Sequence, residues 1–196
     1  MMTLPQDIKE KFYLTIKGDV SLDGFEQWLY EDKEIKEHLN SDDYFELLSF
    51  DFNKSGAKYE LCNLLKKHIN PGEFETYKML GLLYEARRKT EQLPFILMDF
   101  YELYCKGYNF LRDLGLGIGL EVVTPRVDSN ADAWDDLTTG QQHELLESFS
   151  PELEECIEQA ICWIETKKII LTGKQDENGH YGYEDLRTEE ERKSKL

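Results

Sequence analysis

Along most of the chain, apolar residues recur three and four positions apart, the spacing of one helical face. Leu22, Phe25, Trp28, Leu29, Ile35 and Leu39 form such a stripe after a turn at Gly18–Asp19, with Ser21 placed to cap it. One helix is therefore expected over 22–39. A short helix over 5–14 precedes it, with Pro5 in the first turn. Ser41 or Asp42 caps a third segment, "DYFELLSF", and Leu61, Leu64, Leu65 and Ile69 mark a fourth. Asn70-Pro71-Gly72 is a stop signal.

Two longer helices are predicted next, over 74–89 and 94–111. The second carries Ile96, Leu97, Phe100, Tyr101, Tyr104, Tyr108 and Leu111. Trp28, Phe100 and Tyr104 are expected in the core because they lie on continuous apolar stripes. A polar loop over 124–140 leads to a short helix at 141–149. Pro151 then opens a helix that turns Leu153, Cys156, Ile157, Ala160, Ile161 and Ile164 inward. Near the end, β-branched residues and alternating tyrosines flank Asn178-Gly179, the signature of a β-hairpin. The last ten residues read as frayed helix or unstructured tail. The pattern predicts a mainly α fold: a bundle of about eight helices with a small C-terminal β-hairpin. It is organised as an N-terminal module (1–70) and a C-terminal domain (71–196), or as one compact domain.

The segment "RDLGLGIGLEVVTPR" (112–126) spaces Gly115, Gly117 and Gly119 at alternate positions. A dinucleotide fingerprint needs a third glycine where Leu120 stands, and needs a strand before and a helix after. Here a helix precedes the glycines and an extended "LEVVTP" is expected to follow. The phosphate site at a helix N-terminus is then missing. The glycines are read as a stop to the long helix, followed by a tight apolar turn.

Composition narrows the classes. The 196 residues are 40% hydrophobic and 12% aromatic, as in globular proteins. No apolar run reaches the ~18 residues of a membrane span, and no secretory leader pattern is visible at the N-terminus. Cys62, Cys105, Cys156 and Cys162 sit in apolar surroundings and read as buried free thiols of a cytoplasmic protein. The net charge is −17, which disfavours direct binding to nucleic acid or anionic lipid.

Motifs for catalysis and metal binding are incomplete. "DFNKSGAKYELC" resembles a calcium loop but ends in Cys62 where a bidentate Glu belongs. "DSNADAWDDLTT" offers Asp128, Asn130, Asp132 and Asp136 but has Ala133 at the turn and Thr139 at the last ligand position. His38, His68, His143 and His180 fit no zinc spacing. No nucleophile elbow, Walker or kinase signature occurs. No catalytic residue, cofactor or metal is therefore assigned.

Charge is unevenly distributed. Residues 128–166 carry 11 carboxylates and no Lys or Arg. Such self-repulsion does not stabilise a fold. It serves either as a solvated face or as a surface for a basic partner, with a divalent-cation site as a minor alternative. Under the partner reading, Trp134 is the aromatic anchor. Asp132, Asp135, Asp136, Glu154, Glu155 and Glu158 then steer and orient the partner.

The segment 12–53 is similar to a module of bacterial polymorphic-toxin immunity proteins. The resemblance rests on "GDVSLDGFEQWLY" (18–30) and the later "YFELLSFDF" (44–52). It implies a cytoplasmic protein that binds a cognate toxin and blocks it, without catalysis. An acidic inhibitor suits a basic nuclease toxin. The alternatives are an acidic adaptor or nucleic-acid mimic and, third, an enzyme with an unrecognised carboxylate or metal site.

Overall fold

The computed structural model describes residues 4–126 and 132–193. The chain divides into two compact units, Met1–Phe74 and Glu75–Leu196. The fold is mainly α with a two-stranded antiparallel hairpin near the C-terminus.

The first unit holds α1 (Gln6–Lys17), α2 (Leu22–Glu31), α3 (Ile35–His38), α4 (Ser41–Leu48) and α5 (Ala57–Lys66). Gly18, at φ +94°, closes α1 by donating its N–H to Leu14 and Thr15 carbonyls. Ser21 caps α2 by accepting from the Gly24 N–H. The helix expected over 22–39 is broken in two. The cause is Asp32, whose Oδ1 accepts the N–H groups of Glu34 (2.8 Å) and Ile35 (3.1 Å) and starts α3 afresh. A local side-chain cap outcompetes continuation of the stripe. Ile8, Phe12, Phe25, Leu29, Ile35 and Leu61 are fully buried in this unit. Trp28 is only half-buried: its ring packs edge-on against Phe12, and the Lys11 ammonium lies 5.7 Å from the ring centroid.

Asn70-Pro71-Gly72 begins a helix as well as ending one. Asn70 Oδ1 accepts from the N–H groups of Gly72 and Glu73 at the start of α6 (Pro71–Arg87). In the second unit α7 (Leu93–Cys105) ends ten residues before Gly115, at Lys106 and Gly107. Gly107 adopts φ +109°. Asn109–Leu111 forms a 3₁₀ turn and Asp113–Gly119 a π-helix, which runs into α8 (Leu120–Val123). The glycine-rich segment is thus helical, not a stop followed by extended chain. Its glycines serve packing. A Cβ on Gly115 would lie 2.7 Å from the Phe100 carbonyl oxygen, and one on Gly119 only 2.3 Å from that of Leu97. Bare backbone at two positions four apart lets the π-helix lie directly on α7. Phe100 is fully buried, while Tyr104 is half-buried.

A 3₁₀ turn (Trp134–Asp136), α9 (Thr139–Ser148), α10 (Glu152–Glu165), strands β1 (Ile169–Gln175) and β2 (Tyr181–Asp185), and the single turn α11 (Glu189–Arg192) complete the unit. Eleven α-helices are present among the described residues, against about eight expected. The surplus lies in the Asp32 break and in the one-turn helices α8 and α11. The inward residues of α10 are buried as predicted. The hairpin pairs Ile169 with Asp185 and Leu171 with Tyr183, with an irregularity before Gln175. Asp176 Oδ1 holds its turn by accepting from the N–H groups of Asn178 and His180. Arg187 fixes the base of the hairpin: its guanidinium makes two bonds to Asp185 (3.0 and 2.8 Å) and lies 4.3 Å over Trp163. All four cysteines are free, but only Cys156 is buried; Cys105 and Cys162 are exposed and Cys62 is intermediate.

Candidate functional site

The acidic segment folds into three consecutive pieces of the second unit: the Trp134–Asp136 turn, α9 and α10. Asp128 and Asn130 lie outside the described residues. Asp132, Asp135, Asp136, Glu155 and Glu158 are exposed, and Glu154 is partly so. Trp134 is not an exposed anchor. It is 8% exposed and belongs to the core of the second unit. The 3₁₀ turn directs its ring inward, and its carbonyl accepts from Gln142 Nε2 at 3.1 Å. A large ring flanked by Asp132, Asp135 and Asp136 has more to gain from burial than from display.

Asp136 has a structural task. Its Oδ2 accepts the N–H groups of Asp132 (3.1 Å) and Ala133 (2.9 Å), which fixes the backbone of the turn that carries Asp135. On α10 the carboxylates are partly balanced by cations from outside the segment. Arg87, the last residue of α6, pairs with Glu158 at 3.2 Å, and Lys89 pairs with Glu154. Ser150 Oγ also donates to Glu154 at 2.9 Å. Lys89, and then these bonds, hold the Glu154 carboxyl below the usual carboxylate range. Tyr84 donates to Glu165 at 2.5 Å, which raises the phenol. The charge map along the chain missed this, because Arg87 at the end of α6 and Lys89 just past it lie more than sixty positions from the carboxylates they balance. Even so, Asp132, Asp135, Glu144, Glu147, Glu152 and Glu155 remain exposed on the same elements. These elements stay strongly negative.

A second polar concavity, about 370 Å³, lies in the first unit and is lined by Leu4, Glu37, His38, Leu39, Asn40, Asp43 and His68. Sequence spacing did not signal it, since its groups come from α3, the start of α4 and the residues after α5. His68 retains 9% of its side-chain exposure. Its Nδ1 stands 3.7 Å from Asp43 Oδ2, and its shielded Nε2 has no hydrogen-bond partner among the described residues. Burial lowers the His68 pKa, Asp43 opposes this, Lys67 adds to it and Glu46 opposes it. Among the described residues no group of three or more His, Cys, Asp or Glu has metal-holding geometry, including both calcium-like stretches as far as they are described. No described helix is long and apolar enough to cross a membrane.

No protein-family model, no curated protein and no solved structure matches this chain.

Proposed function

We propose that the chain is a protein-binding inhibitor of the immunity type, which neutralises a toxin by covering a basic surface of it. The observation that carries the reading is the set of exposed carboxylates on the Trp134–Asp136 turn, α9 and α10, with the turn braced by Asp136 and with Glu158 and Glu154 oriented by Arg87 and Lys89. Preordered charges lower the cost of ordering on binding and speed encounter with a cationic surface. Asp132, Asp135, Glu155 and Glu158 meet the partner, Asp136 and Glu154 orient the surface, and Trp134 supports it from below. The resemblance of residues 12–53 supports the same reading, and the protein would act in the cytoplasm, where its thiols stay reduced.

The test is neutralisation. Toxic nuclease domains with basic surfaces are expressed together with this chain, and growth is followed. Growth should be restored by the wild-type chain against one of them. The triple variant Asp132→Lys, Asp135→Lys, Glu155→Lys should associate with that domain at least tenfold more slowly at low salt. The deficit should shrink near physiological ionic strength, where screening acts over about 8 Å. No rescue by the wild-type chain against any such domain would overturn the immunity reading. Rescue with unchanged association kinetics in the variant would remove the acidic face from it.

A further inference from the structure

We propose that the cleft between α3, α4 and the end of α5 binds an alkylguanidinium group, through Asp43, Glu37 and His68. The proposal uses none of the residues of the acidic face and stands independently of the inhibitor reading. Among the described residues no Lys or Arg lines the cleft. Its polar wall presents two carboxylates, two imidazoles and one amide, and its volume of about 370 Å³ is in the range of small-ligand pockets.

The wall is not internally satisfied. His68 is more than nine-tenths buried, yet among the described residues neither ring nitrogen has a hydrogen bond: Nε2 has no partner, and 3.7 Å from Nδ1 to Asp43 Oδ2 is too long for one. Burial keeps the ring neutral at pH 7, so it does not supply the missing cation. The Asp43 carboxylate accepts a hydrogen bond from the neighbouring Asn40 amide, which leaves most of its acceptor capacity open to the cleft. Carboxylates with open acceptor capacity beside an unpartnered imidazole call for a ligand rich in donors. Guanidinium carries five N–H groups in a planar fork and can pair with a carboxylate through two parallel N–H···O bonds, which an ammonium cannot. Leu4 and Leu39 offer apolar surface for the alkyl stem. The group can arrive as an arginine side chain of a protein or as a free guanidino compound.

The experiment follows the imidazole resonances of the chain by NMR at constant ionic strength. The probes are butylguanidinium, butylammonium, free arginine, and arginine blocked at both ends. Butylguanidinium should perturb His68 and His38 saturably, with half-saturation in the millimolar range or tighter. Butylammonium should bind at least threefold more weakly. His143 and His180, each beside a carboxylate on an exposed surface, act as internal controls for general attraction to a negative chain. They should not saturate. Glu37→Gln, at an exposed position, should weaken binding at least threefold with melting unchanged, and Asp43→Asn should abolish it. Preference for blocked over free arginine identifies a peptide source, and the reverse identifies a free metabolite. Equal, unsaturable shifts at all four histidines, or full binding by Glu37→Gln and a folded Asp43→Asn, overturn the proposal.

Discussion

Substituting alanine at two glycines should move stability in opposite directions. Gly119 has ordinary helical torsions, φ −60° and ψ −39°, so alanine meets no backbone obstacle there. The obstacle is contact. The new Cβ would lie 2.3 Å from the Leu97 oxygen and 3.1 Å from both the Leu114 oxygen and Tyr101 Cβ. Two of these are main-chain atoms, so no side-chain rotation relieves the clash and the π-helix must move off α7. Overpacking costs about 1–3 kcal/mol, and a clash with main-chain oxygens that only a backbone shift relieves puts this one at the upper end, about 3 kcal/mol. The helix preference of alanine over glycine returns about 1 kcal/mol. The net expectation is a loss of about 2 kcal/mol. Gly81 lies inside α6, and a methyl group added there would meet nothing within 4 Å, so the same change should gain about 0.5–1 kcal/mol. At about 2–4 °C per kcal/mol for a chain of this size, Gly119→Ala should melt roughly 4–8 °C lower and Gly81→Ala slightly higher. Urea titration followed by tryptophan fluorescence reads both, because Trp134 and Trp163 are buried in the second unit. A Gly119→Ala protein within about 0.5 kcal/mol of wild type, at equal m-value, would refute the close-approach argument.

Three further outcomes are expected. Lys167 ends α10 at φ +59°, where glycine is at ease, so Lys167→Gly should stabilise by about 0.5–1 kcal/mol in thermal melts; a loss would deny the strain. Asp185→Asn strips the buried Arg187 of its counter-charge and should cost about 2–4 kcal/mol, with a change in Trp163 emission; an unchanged urea midpoint would contradict this. The folded state lowers the His68 pKa from 6.5, so the unfolded chain binds the proton more readily. Stability from this site is therefore complete above pH 6.5 and falls as the pH drops below it toward the folded pKa. His68→Gln should flatten that slope between about pH 7.5 and 5.5, measured by urea unfolding at each pH.

Elements fixed by neighbouring residues were readable in the sequence: the Ser21 cap, the inward face of α10 and the hairpin around Asn178-Gly179. Elements fixed by competition or by distant residues were not. The stripe from Leu22 to Leu39 hid the break at Asp32, because a cap two or three residues long leaves periodicity intact. Gly107 ended α7, not Gly115, because the later glycines face the Leu97 and Phe100 carbonyls, a relation between two helices that no local window contains. Trp134 looked like a display residue because its sequence neighbours are aspartates, yet its burial is decided by the core beneath the turn. The acidic face was legible as composition, while its balancing by Arg87 and Lys89 needed the fold. The His68 cleft left no trace in spacing at all.

The π-helix also sets a phase. An α-helix advances about 100° per residue, and a wider turn absorbs one residue more before the chain comes round. Leu114, Ile118 and Val122 all point into the core across this element and its junction with α8. Deleting one residue, for instance the exposed Leu116, would let the turn tighten to an ordinary α-helix, and seven steps of about 100° from Leu114 would still bring Val122 round to the core. The wide turn therefore acts as slack in the chain: it takes up one residue without re-indexing the face of α8.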